Sequence, residues 1–257
     1  MGNAEIASSV RIVWDYTPSD FFEERTTFQL NDINIEIENG RATACVPSDT
    51  FERQQDLKET LQETLKFIFL GALPYRRKVV EFSGGSMYRT LPDGRSSISH
   101  WKTIKLLVMP GDDDRVYTDS KGMIHDTRRE RIDSMKRLAQ LSVQYCPKNL
   151  TVRRIFDSFE ASVRYPENEL VFLFEIWDAL ATEFRGDARA RRALGIARDA
   201  RSKLTNLANV EPINQGRHRG RHKGGLRNAT YEELSEARSI ARDMIEKYIR
   251  YLAEQKP

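Results

Sequence analysis

Apolar residues recur at every second position in two stretches near the start of the chain, Val10, Ile12, Trp14 and Tyr16 and then Ile33, Ile35 and Ile37. This period is typical of half-buried β-strands. Asn39-Gly40 stands between INIEIE and RATACV, and this dipeptide is a strong signal for a two-residue hairpin turn. Strand-like residues return at 78–82, 86–91 and 101–109. The first part of the chain is therefore predicted to be rich in β-structure.

One helix is predicted within this β-rich part. Pro47 ends a strand, and Ser48 or Asp49 can cap a helix that follows it. The helix would present one apolar face and end near Gly71 and Pro74. The face consists of Leu57, Leu61, Leu65 and Ile68. Two further turn signals are Pro92-Asp93-Gly94, which predicts a hairpin, and Ser83-Gly84-Gly85-Ser86, which predicts a flexible connection between strands.

After about Asp126 the apolar residues take the helical period of 3.6. The pattern predicts a helix that ends before Pro147, an apolar central helix after Pro166, and a last helix opened by a capping box of Thr230 and Glu233. The stretch 189–206 is a shorter, charged helical piece. The prediction is thus an α+β protein. A mixed β-sheet domain with an embedded helix would occupy residues 1–124, and an all-α domain would occupy residues 125–257.

Composition narrows the class of protein. The chain has 257 residues, 39% of them hydrophobic, which is enough for packed cores. Its net charge is only +3, so attraction to nucleic acid must come from local charge placement. Cys45 and Cys146 are isolated, as in a reducing cytosol, and the first residues lack the features of a secretory signal. No apolar run is long enough to cross a membrane, and we expect a cytoplasmic protein.

The basic segment, residues 216–227, carries the strongest candidate chemistry. Its cationic and imidazole side chains are Arg217, His218, Arg219, Arg221, His222, Lys223 and Arg227. Four glycines leave its backbone amides open, and a helix N-terminus follows it. Side-chain charge, open backbone and helix dipole all favour a phosphate group here. The alternative is a solvated basic loop with little ligand preference.

Within the basic segment, RHRGRH at 217–222 has an Arg-(polar)-x-x-x-His spacing. It lies between the apolar helix ELVFLFEIWDAL and the amphipathic helix TYEELSEARSIARDMIEKYIRYL. In these features the C-terminal half resembles the HEPN superfamily (higher eukaryotes and prokaryotes nucleotide-binding). A domain of this kind behind a β-containing N-terminal domain is most similar to the Apea-like HEPN proteins. Pro212, Gly216 and Gly220 predict that the motif does not lie in one continuous helix.

The resemblance implies a metal-independent ribonuclease that needs no cofactor and acts as a homodimer, in a stress or phage-defence setting. It assigns the acid/base role to His222, the phosphate-stabilising role to Arg217 and an orienting polar role to His218. Phosphates of the RNA would bind the remaining basic residues Arg219, Arg221, Lys223 and Arg227. A histidine can take the proton of a ribose 2′-OH, and an arginine can stabilise the charge that builds on the phosphate. The N-terminal domain would be a sensor or specificity module.

The sequence leaves a non-catalytic alternative open. In it the basic segment binds nucleic acid or an acidic protein, and the helices mediate dimerisation. Glu175 and Asp178, on the apolar central helix, neutralise Arg217, order a histidine or face solvent. Residues elsewhere are assigned to structure and not to a site. These are the acidic turn Asp112-Asp113-Asp114, the separate histidines His100 and His125, and the tryptophans Trp14, Trp101 and Trp177, which we expect in the core.

Overall fold

The computed structural model describes residues 9–31, 33–90, 96–102, 114, 116–118 and 123–255. The predicted α+β class is confirmed, with an antiparallel sheet followed by a helical region. The described residues form two compact units. The sheet unit comprises Met1–Phe69 and Lys78–Ile132, and the helical unit comprises Leu70–Arg77 and Asp133–Pro257.

The sheet unit contains a six-stranded sheet in the order β2-β3-β4-β1-β5-β6. Its strands are β1 (Ser9–Thr17), β2 (Thr26–Leu30), β3 (Ile33–Glu38), β4 (Arg41–Pro47), β5 (Glu81–Thr90) and β6 (Ser96–Lys102). Every described pair of neighbours is antiparallel, so the sheet is not mixed in strand direction. A separate antiparallel pair is formed by β7 (Val116–Thr118) and β8 (Ile124–Asp126).

The hairpin predicted at Asn39-Gly40 is confirmed. Glu38 pairs with Arg41, and the two turn residues have φ angles of 47° and 78°, both in the left-handed region that such a turn requires. Gly40 is further constrained because a Cβ atom there would lie 2.9 Å from the Cβ of Ser19. The turn residue choice therefore follows from both backbone conformation and packing.

The prediction for Ser83-Gly84-Gly85-Ser86 is wrong. These residues lie inside β5. Gly84, Gly85 and Ser86 pair with β1 on one side and with β6 on the other, and the register with β1 shifts at Ser83. A Cβ on Gly85 would lie 2.2 Å from the Val13 carbonyl oxygen and 2.4 Å from the Trp101 ring, so the glycine is there for close packing. The predicted β5–β6 hairpin is confirmed by the Thr90–Ser96 pair, and its turn, Pro92-Asp93-Gly94, lies outside the described residues.

Two helices occupy the stretch where one was predicted, α1 (Ser48–Arg53) and α2 (Leu57–Arg76). The predicted cap is wrong, because Ser48 lies inside α1 and Pro47 holds the cap position without a side-chain bond. The apolar face of α2 is confirmed, since Leu57, Leu61, Leu65 and Ile68 are buried. Contrary to the prediction, α2 continues past Gly71 to Arg76. Pro74 lies inside its last turn, where it has no amide to donate to the Leu70 carbonyl.

The helical unit contains most of α3 (Thr127–Tyr145) and five later helices. These are α4 (Leu150–Arg164), α5 (Glu169–Glu183), α6 (Asp187–Leu194), α7 (Arg198–Thr205) and α8 (Tyr231–Glu254). As predicted, α5 is central, and it packs against α4, α6, α7 and α8. A π-helical turn at Asn206–Val210 follows α7. Among the described residues, no helix has the length and apolar content to cross a membrane.

Helix α4 was not predicted, although its sequence carries the expected signals. Asn149 caps it by accepting a hydrogen bond from the Val152 amide at 2.9 Å. Its buried face consists of Val152, Ile155, Phe156, Phe159 and Val163, which follow the helical period. The predicted capping box of α8 is confirmed in both directions, from the Glu233 amide to Thr230 and from the Thr230 amide to Glu233.

Candidate nucleic-acid interface

The basic segment forms a closed loop of the helical unit whose two ends are pinned by backbone hydrogen bonds. At its start, the Arg217 amide donates to the Ala208 carbonyl at 2.7 Å. At its end, Arg227 forms a parallel bridge with the buried Ile213, and its amide donates to the Pro212 carbonyl at 2.9 Å. Gly216 is buried, and a Cβ there would lie 3.1 Å from the Ala208 carbonyl oxygen. The loop therefore presents residues 218–226 from a fixed base.

The motif is not helical across its length, as predicted. Only Arg219–Arg221 form a short 3₁₀ turn, in which the Arg221 amide donates to the His218 carbonyl at 3.0 Å. Side chains added at Gly220, Gly224 and Gly225 would meet no atom within 4 Å. The backbone near these glycines is therefore open to an approaching ligand. The sequence predicted this openness from the glycines of the segment.

Arg217 is held against the central helix α5. Its Nη1 donates to Asp178 Oδ2 at 2.8 Å, and its guanidinium carbon lies 5.3 Å from the centre of the Phe174 ring. Of the three roles left open for Asp178, neutralisation of Arg217 is the one observed. Among the described residues, the Arg217 side chain forms no other hydrogen bond, so further N–H groups of its fork remain open to an acceptor.

Two of the predicted phosphate-binding arginines hold the loop together. Arg219 donates to the carbonyl oxygens of Gly216 and Glu167, both at 3.0 Å, and to the side chain of Asn168. Arg227 forms a two-pronged ion pair with Glu233, with both N···O distances at 2.7 Å. Their charges are therefore engaged in tethering the segment to the turn before α5 and to the start of α8.

The remaining candidates face outward as a group. Arg221 and Lys223 are exposed, and within the described part of the chain neither forms a hydrogen bond or ion pair. His218 and His222 are half-buried. Burial lowers the pKa of His218 below its ordinary value of 6.5, and so do the positive charges of Arg221 and Arg217. His218 is thus mostly neutral at pH 7 and can accept a proton or a hydrogen bond.

The N-terminus of α8 is already occupied by carboxylates. Glu232 and Glu233 lie in its first turn, and Glu233 both caps the helix and pairs with Arg227. The pKa of Glu233 is lowered, mainly by the hydrogen bond from Arg227, so this carboxylate stays charged. An anion at this helix end would meet like charge, and the predicted contribution of the helix dipole to phosphate binding is not realised.

The structure also describes several of the tryptophans, histidines and acidic residues that the sequence assigned to structure and not to a site. Trp14 and Trp177 are buried, as predicted, whereas Trp101 is half-buried beneath Lys58. His100 is exposed and lies 2.7 Å from the Ser86 hydroxyl. Asp114 pairs with Arg131 at 3.0 Å instead of facing solvent unpaired. The other residues in question, Asp112, Asp113 and the side chain of His125, lie outside the described residues.

Two features of the helical unit were not anticipated from the sequence. A bidentate ion pair joins Glu169, at the start of α5, to Arg238 of α8, with Nη2–Oε2 at 2.6 Å. A polar groove of about 340 Å³ lies beside the Asp178–Arg217 pair and includes Arg154 and Arg185. Both depend on residues brought together from distant helices, for which the linear pattern gives no signal.

No family model, no curated protein and no solved structure matches this chain. Within the described residues, no cluster of three or more His, Cys, Asp and Glu side chains has the arrangement of a metal site. The function must therefore be argued from the geometry of the basic segment itself.

Proposed function

We propose that the helical unit binds RNA at the basic segment and cleaves it by a metal-independent, HEPN-like mechanism. One observation carries the proposal. Arg217 is held by Asp178 at 2.8 Å with part of its fork open, and its positive charge, like that of Arg221, acts on His218. Cleavage of a phosphodiester can use an imidazole that accepts a proton and a guanidinium that stabilises the charge on the phosphate.

The cleavage step uses His222 as base and Arg217 as the phosphate-stabilising group. His222 takes the proton of a ribose 2′-OH, and the 2′-oxygen attacks the adjacent phosphorus. As the new P–O bond forms, the bond to the 5′-oxygen breaks, and that oxygen leaves with a proton from water. The products are a 2′,3′-cyclic phosphate and a 5′-hydroxyl. Arg217 neutralises charge on the non-bridging oxygens during this step.

His218 has a positioning role in this proposal. Its lowered pKa keeps it neutral at pH 7, so it accepts a hydrogen bond without adding repulsion between the cations of the loop. Arg221 and Lys223 are the residues of the segment most available to bind neighbouring RNA phosphates, because both are exposed and Arg219 and Arg227 are engaged elsewhere. We further propose that two chains associate, and that the sheet unit selects the RNA.

The test is an endonuclease assay on several single-stranded RNAs with a chelator present. We expect the wild-type chain to yield cyclic-phosphate ends. His222→Ala and Arg217→Ala should each lower the rate by at least about a hundredfold, the lower range for loss of a general base or a charge-stabilising donor. Arg189→Ala, an exposed arginine on α6, is the control that should leave the rate unchanged. RNA binding without cleavage by the wild-type chain would instead identify a non-catalytic binding module.

A further inference from the structure

A polar groove of about 340 Å³ opens beside the pair formed by Asp178 and Arg217. Helices α4 and α5 and the residues just after α5 form its walls. Its lining residues are Thr151, Arg154, Asp178, Ala179, Thr182, Glu183 and Arg185. Asp178 belongs to both features, since it lines the groove and accepts the hydrogen bond from Arg217. A chain bound at Arg217 therefore has this groove directly next to it.

Among the residues that the structure describes, the carboxylates of the groove have hydrogen-bond partners, whereas the side chains of its arginines have none. Asp178 accepts from Arg217 at 2.8 Å, and Glu183 accepts from the Thr151 hydroxyl at 2.8 Å. Arg154 and Arg185 are exposed, and in the described ranges neither side chain has a hydrogen bond or an ion pair. Because Arg217 neutralises Asp178, the two guanidinium groups of the groove face a single carboxylate without an ion pair, that of Glu183. The groove therefore keeps a net positive charge that attracts an anion.

Arg185 has a further unusual property. Its φ angle is 55°, in the left-handed region, at the position after α5 where glycine is favoured. The next amide, of Gly186, closes the helix end by donating to the Ala181 carbonyl at 2.7 Å. The Arg185 amide donates to the Thr182 carbonyl at 3.1 Å, so the helix end holds Arg185 in this conformation beside the groove that it lines.

We propose that this groove binds the RNA strand next to the cleaved bond, with Arg154 and Arg185 each neutralising one backbone phosphate. The proposal rests on RNA being the ligand of the basic segment, and it adds a binding track that the sequence pattern does not contain. The hydroxyls of Thr151 and Thr182 already donate within the protein, so their oxygens can only accept from ribose hydroxyls. The two arginines make the backbone phosphates the main recognised feature of the strand.

Salt dependence of binding distinguishes phosphate contacts from general charge effects. For single strands, log Kobs changes with log salt concentration by a slope of about −0.7 for each neutralised phosphate. Loss of two contacts should therefore reduce the slope by about 1.4. The probe is a fluorescein-labelled 2′-O-methyl oligouridylate of about 12 nucleotides, within the usual range of single-strand site sizes, which cannot be cleaved because its 2′-oxygens carry no proton. Binding is followed by anisotropy between 50 and 200 mM KCl, the range over which such affinities change strongly.

The variant is Arg154→Ala/Arg185→Ala, and the matched control is Arg189→Ala/Arg192→Ala, which removes the same charge from exposed positions on α6. We expect the slope to fall in the groove variant alone, with melting temperatures confirming that both variants fold. An unchanged slope, or an equal change in the control, overturns the proposal. If the slope falls in the groove variant as expected but the wild-type chain cleaves no RNA, the ribonuclease proposal fails while the groove stands. If the chain cleaves RNA and the slope does not respond, the groove fails alone.

Discussion

Arg217 and Asp178 are 39 residues apart in sequence, and the guanidinium Nη1 of the first donates to Oδ2 of the second at 2.8 Å. Phe174, one helical turn before Asp178, supports the flat face of the same guanidinium at 5.3 Å. The arginine is therefore oriented by the central helix α5 and not by the loop that carries it. Both side chains of the pair remain partly exposed, so a phosphate can reach the arginine without unfolding the loop.

Asp178→Asn is expected to raise RNA affinity and to lower the cleavage rate. Removing the carboxylate charge frees Arg217 for phosphate, and an exposed pair of this kind contributes up to about 1 kcal/mol, or roughly fivefold in affinity. The rate falls because the guanidinium loses its orientation. Glu175→Gln is the control, since it removes the same charge from the same helix without a bond to Arg217. Equal behaviour of the two variants in anisotropy and cleavage assays would show that Asp178 does not position Arg217.

The pKa of His218 should rise in Arg221→Gln. Burial is the first cause of its low pKa, and the Arg221 charge is the second, so removal of that charge moves the value back toward 6.5. Lys223→Gln provides the comparison, because Lys223 is not among the causes of the shift. NMR titration of the imidazole protons measures both. A larger shift in Lys223→Gln than in Arg221→Gln would mean that the loop has a different arrangement in solution.

The lowered pKa of His218 also determines how its contribution to stability changes with pH. Because the folded-state pKa lies below 6.5, the unfolded chain takes up the proton first as the pH falls. The contribution of neutral His218 is therefore fully present above pH 6.5 and is lost below it, as the pH falls toward the folded-state value. Arg221→Gln should narrow the pH range over which this contribution is lost, because it moves the folded-state pKa back toward 6.5. Urea unfolding at several pH values below 6.5 measures this range.

Glu169→Ala should be among the most destabilising single changes in the helical unit. The Glu169 side chain is 4% exposed and that of Arg238 is 11% exposed, so the variant leaves a desolvated guanidinium without its partner. Loss of one member of a buried pair costs about 3–5 kcal/mol. Glu236→Ala breaks the exposed pair with Lys203 and should cost at most about 1 kcal/mol. Similar free energies of unfolding for the two variants would contradict this difference.

Local signals in the sequence predicted local structure well. The Asn39-Gly40 turn and the Thr230–Glu233 capping box each depend on residues a few positions apart, and both are confirmed. Helix α4 carried comparable signals and could have been predicted from its apolar period and from Asn149. Gly85 shows where local signals fail. Gly84-Gly85 resembles a turn dipeptide, but Gly85 lies within a strand and packs between Val13 and Trp101 on neighbouring strands.

The composition of the candidate site was predictable, but the use of its charges was not. The sequence places seven basic or imidazole side chains in one segment, which singled the segment out. It does not reveal that Arg219 is committed to residues before α5 or Arg227 to Glu233. These pairings depend on how α5 and α8 pack, and packing between distant segments is set by tertiary contacts that a linear pattern does not encode. The groove arginines were missed for the same reason.

Gly71→Ala tests the packing of α2 against α3 within the helical unit. A Cβ at Gly71 would lie 2.6 Å from the Ala139 Cα and 2.8 Å from the Leu138 carbonyl oxygen, both backbone atoms that cannot rotate away. It would also lie 2.4 Å from the Ser142 hydroxyl, which donates to the Ala139 carbonyl. Such overpacking costs about 1–3 kcal/mol or more, which outweighs the gain of about 1 kcal/mol from alanine in a helix. We therefore expect a net loss of stability in urea unfolding.

Gly220→Ala is the matched substitution, because a Cβ there meets no atom within 4 Å and the backbone is not in the left-handed region. Its free energy of unfolding should stay within about 0.5 kcal/mol of the wild-type value. The two variants add the same methyl group, so the difference between them isolates the contact with α3 from any general effect of replacing glycine. If Gly71→Ala were as stable as Gly220→Ala, α2 and α3 would have to lie further apart in solution than the distances at Gly71 require.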